Sequence, residues 1–231
     1  MTKITTCVFD AYGTLFDVAA AAREAAAEPG RAALAAKWPQ LAEAWRLKQL
    51  QYTWLRAITG AHTDFWSVTC DGLDFALEAT GLQGDAELRD RLLQLYRELS
   101  AYDEVPEMLS RLKAAGFATA ILSNGAPGML MDAVVSAGIN DRLDAVLSVE
   151  EVGIFKPAPQ VYDMVGARFA CRPEQVLFVS SNGWDVAGAA QYGFNTVWVN
   201  RAGDPIDRLP GQPQHILRDL TTIPDLAGGT A

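Results

Sequence analysis

The feature that most constrains this chain is a carboxylate set at the end of an apolar run. Ile4, Cys7, Val8 and Phe9 lead directly into Asp10, and Asp10-Ala11-Tyr12-Gly13-Thr14-Leu15-Phe16-Asp17 follows. A short apolar run bounded by turn residues predicts a buried parallel strand, with Asp10 at its carboxyl end and Gly13 folding the backbone over it. In open α/β sheets the ligand crevice lies outside such strand ends. Taken alone, Asp-x-x-Gly more often marks a turn than a site. Partners for Asp10 must therefore come from later in the chain.

The pattern then turns helical through residues 17–98. Helices are predicted over 18–28, closed by Pro29-Gly30, over 40–58, stopped near Gly60, and over 65–80, stopped by Gly81. Leu88, Leu92, Leu95, Tyr96 and Leu99 mark a fourth at helical spacing. From Val105 onward strands and helices alternate. Helices are predicted over 106–115, 128–137, 159–169 and 184–192, and strands over 117–122, 145–149, 176–179 and 196–199. That order predicts an α/β fold, a doubly wound parallel, Rossmann-like sheet. The first strand precedes the helical block, so the block is an insertion. Residues 1–16 and 99–231 form the expected core, and 17–98 a helical cap domain. The Pro- and Asp-rich end of the chain reads as a loosely packed finishing segment.

Composition excludes several functions. The 231 residues carry a net charge of -9, which disfavours nucleic acid and anionic membrane surfaces as partners. An anionic substrate would need cations placed locally. The alanine-rich stretch 18–27 contains Arg23 and Glu24, so it reads as a helix and not a membrane span. No signal peptide is recognisable. Cys7, Cys70 and Cys171 are odd in number and widely spaced, as expected of buried thiols in a reducing cytoplasm. With only His62 and His215 present, a histidine-rich zinc site or a Ser-His-Asp triad is poorly supplied.

Four polar segments fall at predicted strand ends: Asp10 to Thr14, Ser123-Asn124, Lys156-Pro157, and Ser180-Ser181-Asn182-Gly183-Trp184-Asp185. Each has an ordinary explanation when taken alone. Ser123-Asn124-Gly125 reads as a turn, Lys156 as a surface lysine, and Asn182 with Asp185 as a helix cap. Together, at one edge of one sheet, they would place a carboxylate, a hydroxyl, an ammonium and a polar cluster in one pocket.

In this order the four segments resemble the motifs of the haloacid dehalogenase superfamily, and the resemblance covers essentially the whole chain. Within it, the sequence resembles the L-2-haloacid dehalogenases. The supporting stretches are Asp10 to Asp17, Trp45-Arg46-Leu47-Lys48-Gln49-Leu50-Gln51-Tyr52-Thr53-Trp54-Leu55-Arg56, and Phe178 to Asp185. Phosphatases of the superfamily hold magnesium on a second carboxylate and place an acid two residues after the nucleophile. Here that position is Tyr12, whose phenol, with an ordinary pKa of about 10, replaces a carboxylic acid poorly. A hard dication wants several anionic oxygens, and the fourth motif offers Asn182 among serines with only Asp185 as carboxylate. Halide leaves without a proton and needs no metal. No cofactor is therefore expected.

The resemblance implies hydrolysis of short L-2-haloalkanoates to D-2-hydroxy acids, with inversion, through an ester on Asp10. It implies that Lys156 holds Asp10 ionised and that Thr14 and Ser123 orient it. Ser180 and Asn182 are expected to position Lys156 and the hydrolytic water, and Asp185 to act as base. Tyr162, on the following helix, completes the catalytic set. Arg46 and Asn124 would cradle the halide, with Ser123 on the substrate carboxylate and Tyr12, Leu50, Phe65 and Trp184 as an apolar wall. Ala158 departs from the Asp that many relatives carry after the Lys-Pro pair. The implied partners are the anionic 2-haloacid, the halide ion and a second copy of the chain in a homodimer. Two alternatives remain open from sequence: a magnesium-dependent phosphatase of the same superfamily, and a non-catalytic binding protein.

Overall fold

Strand β1 (Thr6–Phe9) occupies the middle of a six-stranded parallel sheet. Its neighbours are β2 (Ala118–Ser123) and β4 (Val176–Ser180), with Phe9 level with Ile121 on one side and Val179 on the other. Outside them lie β3 (Ala145–Ser148), β5 (Asn195–Val199) and β6 (His215–Leu217), in the order β3-β2-β1-β4-β5-β6. Every residue of β1 and β4 is buried, as expected of parallel strands covered on both faces. The chain winds outward in opposite directions from β1 and β4. The crevice at their carboxyl ends is therefore the switch point where α/β sheets bind ligands. The computed structural model describes residues 2–229.

Helices α1 (Ala20–Ala27), α2 (Ala32–Ala35), α3 (Trp38–Thr59), α4 (Phe65–Thr80) and α5 (Ala86–Arg97) lie between β1 and α6 (Val105–Ala114). Local chemistry sets their ends. The Asp64 and Asp85 side chains accept from the amides of Ser67 (3.0 Å) and Leu88 (2.9 Å) as N-caps. The strands that connect the helical block to the sheet are tied together, Asp17 N donating to Ser100 O (3.1 Å) and Tyr102 N to Leu15 O (3.0 Å). Helices α7 (Pro127–Ser136), α8 (Pro159–Phe169) and α9 (Gly183–Tyr192) cover the sheet.

Two expectations are corrected here. The end of the chain is not loosely packed: β6 extends the sheet, and α10 (Ile223–Gly228) docks beside α6 with Leu220 and Ile223 completely buried. Of the three cysteines only Cys7 is buried, and burial pushes its thiol up to about 12. Cys70 and Cys171 are half-buried, because each lies on a face that its neighbours cover only in part. Among the described residues no helix is long and apolar enough to cross a membrane.

Candidate active site

Asp10 leaves β1 at the switch point and is 6% exposed. Its Oδ2 accepts hydrogen bonds from Asn182 Nδ2 (2.8 Å) and Thr14 Oγ1 (3.1 Å), and its Oδ1 from Lys156 Nζ (3.2 Å). The backbone can turn back over this carboxylate because Gly13 takes φ +87°. A Cβ there would also stand 3.1 Å from Ser181 Oγ. Thr14 is held in turn by Ser181, whose amide donates to Thr14 Oγ1 (2.8 Å).

Lys156 is almost fully enclosed and bridges two carboxylates, its Nζ also donating to Asp185 Oδ2 (2.7 Å). The buried Tyr162 hydroxyl closes the far side of Asp185, donating to Oδ1 (2.9 Å). Burial alone would lower the Lys156 pKa, but the charges of Asp185 and Asp10 outweigh it and hold the ammonium above its ordinary value. The magnitudes agree: unit charges about 3 Å apart at an effective dielectric of about 20 attract by roughly 5 kcal/mol before desolvation. Asp185 shifts the other way in its consequence. Complete burial pushes its carboxyl up to about 6; Lys156 opposes that rise and the Asp10 charge adds to it. Burial keeps Tyr162 well above the ordinary phenol value, so it remains a donor toward Asp185.

The helical block reaches this centre through Arg46 on α3. Its Nη2 donates to Asn182 Oδ1 and to Tyr12 O, each at 3.1 Å, so one asparagine links the guanidinium to Asp10. Asn124 Oδ1 accepts from the Lys156 amide (2.9 Å) and so fixes the lysine loop. Ser180 Oγ accepts from the Asn182 amide (3.1 Å) and does not hydrogen-bond Lys156. Ser123 Oγ accepts from Gly125 N (3.0 Å) and likewise does not reach Asp10. Both serines shape the loops that carry the contacting residues.

The aromatic wall is assembled from both layers. The Tyr12 ring stacks on Tyr96 (5.6 Å, 20°) and leans on Phe65 (5.7 Å). The turn after Ser123 fits beneath it only as glycine, since a Cβ on Gly125 would stand 2.7 Å from Tyr12 Cε2. Burial raises the Tyr12 phenol well above its usual value, which leaves it neutral. Trp184 meets Trp54 edge-on at 5.4 Å. With Leu50 and Asn182 it lines a cavity of about 640 Å³ beneath the loop 204–208. The structure therefore gathers Asp10, Thr14, Arg46, Lys156, Tyr162, Asn182 and Asp185 into one hydrogen-bonded set. Tyr12, Leu50, Phe65, Asn124 and Trp184 lie around it.

Residues without a sequence signal also join the site. Ser181 holds Thr14, although it was legible only as part of a polar run. His62 Nε2 lies 3.1 Å from Glu150 Oε2, with the His62 ring against Phe155 (4.6 Å). That pair ties the α3–α4 loop to the loop before Lys156, and a separation of 88 residues gave no pattern to read.

Fold and site together define a parallel α/β protein organised around a buried strand-end aspartate held by a lysine, an asparagine and a threonine. The family model for haloacid dehalogenase-like hydrolases matches residues 4–193. (S)-2-haloacid dehalogenase 1 of Pseudomonas sp. (strain CBS-3) is 45% identical over 226 residues, 98% of this chain and 97% of the relative. The structure of a dehalogenase with intermediate complex superposes with a TM-score of 0.92 at 40% identity, covering 98% of each chain. The L-2-haloacid dehalogenase from Xanthobacter autotrophicus with chloropropionic acid covalently bound superposes with a TM-score of 0.88 at 36% identity, over 99% of this chain and 100% of that one. The chain belongs to the haloacid dehalogenase-like hydrolases and, within them, to the (S)-2-haloacid dehalogenases.

Proposed function

We propose that the protein hydrolyses short L-2-haloalkanoates to D-2-hydroxy acids with inversion. The observation that carries this reading is the buried Lys156 ammonium set between Asp10 and Asp185, at 3.2 and 2.7 Å. It sets a cation directly against the Asp10 carboxylate, the charge partner that a buried carboxylate nucleophile needs. It also occupies the space between the two carboxylates, where a dication would otherwise gain its anionic oxygens. Tyr12, neutral and walled by rings, stands where a leaving-group acid would be required for phosphate chemistry.

In the first step an Asp10 oxygen attacks C2. The carbon–halogen bond breaks with its electron pair leaving on the halide. Arg46 stabilises charge that grows only as that bond stretches, so its effect falls on the transition state. In the second step water adds to the ester carbonyl of Asp10 and gives a proton to Asp185. As the tetrahedral intermediate collapses, the alkoxide leaves and takes that proton back from Asp185 to become the hydroxy acid. The freed Asp10 carboxyl releases its own proton to solvent, and C2 keeps its inverted configuration. Thr14 and Asn182 orient Asp10 throughout, and Tyr162 orients Asp185. The helical block 17–98 serves as the cap that excludes water, and the enzyme works as a cytoplasmic homodimer.

The test is chloride release from L-2-chloropropionate with chelator present, followed by chiral analysis for D-lactate. Asp10→Asn removes turnover. Absence of halide release from both enantiomers of several short haloacids, or phosphate release that depends on magnesium, would overturn the reading. A monomeric mass in solution would overturn the dimer.

A further inference from the structure

We infer that Tyr96, together with Gln49, is a positioning residue that aims Arg46 while leaving its charge unneutralised. This rests on the proposed role of Arg46 at the departing halide. Trp45, Arg46, Gln49 and Leu50 follow one another along α3, so 45 and 49 share one stripe and 46 and 50 the next. Gln49 is 1% exposed, and a buried amide must find partners. Its Nε2 donates to Thr69 Oγ1 (3.0 Å) and to the Tyr96 hydroxyl (3.1 Å), while Trp45 Nε1 donates to Thr69 O (2.8 Å). Helix packing alone needs no such network, because apolar residues of similar size would fill the same space at lower desolvation cost.

Tyr96 connects that network to the site. It is 2% exposed, and its ring stacks on Tyr12 and packs on Trp45 at 4.9 Å. Its partners Trp45 and Gln49 flank Arg46 on α3, and Tyr12, on which it stacks, takes the Arg46 guanidinium on its carbonyl oxygen, so Tyr96 borders the arginine from both layers. Among the described residues no carboxylate forms an ion pair with Arg46. The acceptors of its Nη2 are neutral: Tyr12 O and Asn182 Oδ1. A carboxylate in place of Tyr96 would hold the arginine equally well but cancel the charge that an anion needs. A neutral phenol, anchored by a buried amide, orients the guanidinium and leaves its full charge facing the pocket.

The experiment compares wild type, Tyr96→Phe, Gln49→Met and Arg46→Lys, with the Tyr96→Phe/Arg46→Lys double variant. Kinetics on L-2-chloro- and L-2-bromopropionate are run beside thermal stability and bromide binding by titration calorimetry. The expected result for Tyr96→Phe is a fall in kcat of about tenfold with KM within about twofold, and weaker bromide binding. The fall should be larger for chloride, the poorer leaving group, and should shrink in the Arg46→Lys background. An unchanged kcat with lowered melting temperature overturns the inference, as does a loss equal for both halides that multiplies with that of Arg46→Lys. If Tyr96→Phe does not fold, Gln49→Met is read by the same criteria. If wild type releases no halide, the dehalogenase reading fails on its own, and unaltered bromide affinity in Tyr96→Phe still decides against the inference.

Discussion

Buried completely, and sharing one ammonium with a second carboxylate, Asp185 holds its proton up to about 6. As pH falls through that value the carboxylate takes up a proton and can no longer receive one from water. The rate should therefore fall on the acidic side, with an apparent value that belongs to the Asp10–Lys156–Asp185 cluster as a unit. Lys156, held above its ordinary value, stays charged over the same range and adds no second limb there. A pH–rate profile of kcat checks this. Asp185→Asn should cut the rate by roughly 10² or more and flatten the acid limb; an unchanged limb would assign it elsewhere. Asp10, Lys156 and Asp185 were legible because each follows an apolar run or opens a helix, where charge stands out. Gln49 was not, because a polar residue in a helical stripe reads as solvent-facing and only the packing of α3, α4 and α5 encloses it. Tyr96 was legible only as part of the apolar stripe of its helix, with nothing to tie it to the site.

The same contrast holds for elements. Helices that begin at Asp64 or end at Gly81 announce themselves through caps, and their bounds agree with the reading of the sequence. His215-Ile216-Leu217 is too short for alternation to show, it lies at the sheet edge with Ile216 47% exposed, and prolines precede it. The helix after it is similarly short, and what makes both structural is long-range. Arg111 on α6 donates to Thr221 O (3.1 Å) and Asp225 Oδ1 (2.6 Å), while Ile223 is fully buried. Ile223→Ala should then cost about 2–5 kcal/mol. At this size that lowers the melting temperature by roughly 2–4 °C per kcal/mol. Calorimetry of the variant tests it, and KM should stay unchanged because α10 lies away from the strand ends that carry Asp10 and Asn182. A loss below about 0.5 kcal/mol would return the segment to the surface class.

At the scale of the whole molecule, a net charge of -9 opposes the approach of the anionic substrate that the site is built to hold. Two fields of different reach decide the outcome. Arg46 acts within a few ångströms and has no carboxylate paired to it among the described residues, whereas the Lys156 charge is already taken up by Asp10 and Asp185. The short-range hold therefore falls to Arg46, and salt weakens it little. The repulsion is summed over exposed carboxylates and acts from a distance, where the screening length of about 10 Å at 0.1 M salt removes most of it. Raising a non-halide salt from about 10 mM to about 200 mM should therefore increase kcat/KM for a 2-haloacid by about two- to tenfold. kcat at saturation should stay constant, because bound substrate no longer feels the distant field. Halide salts are unsuitable, since halide competes for the Arg46 position. A fall in kcat/KM under the same conditions would mean that the cations at the mouth of the site govern approach. Reversing exposed acids near the loop 204–208 would then be expected to change little.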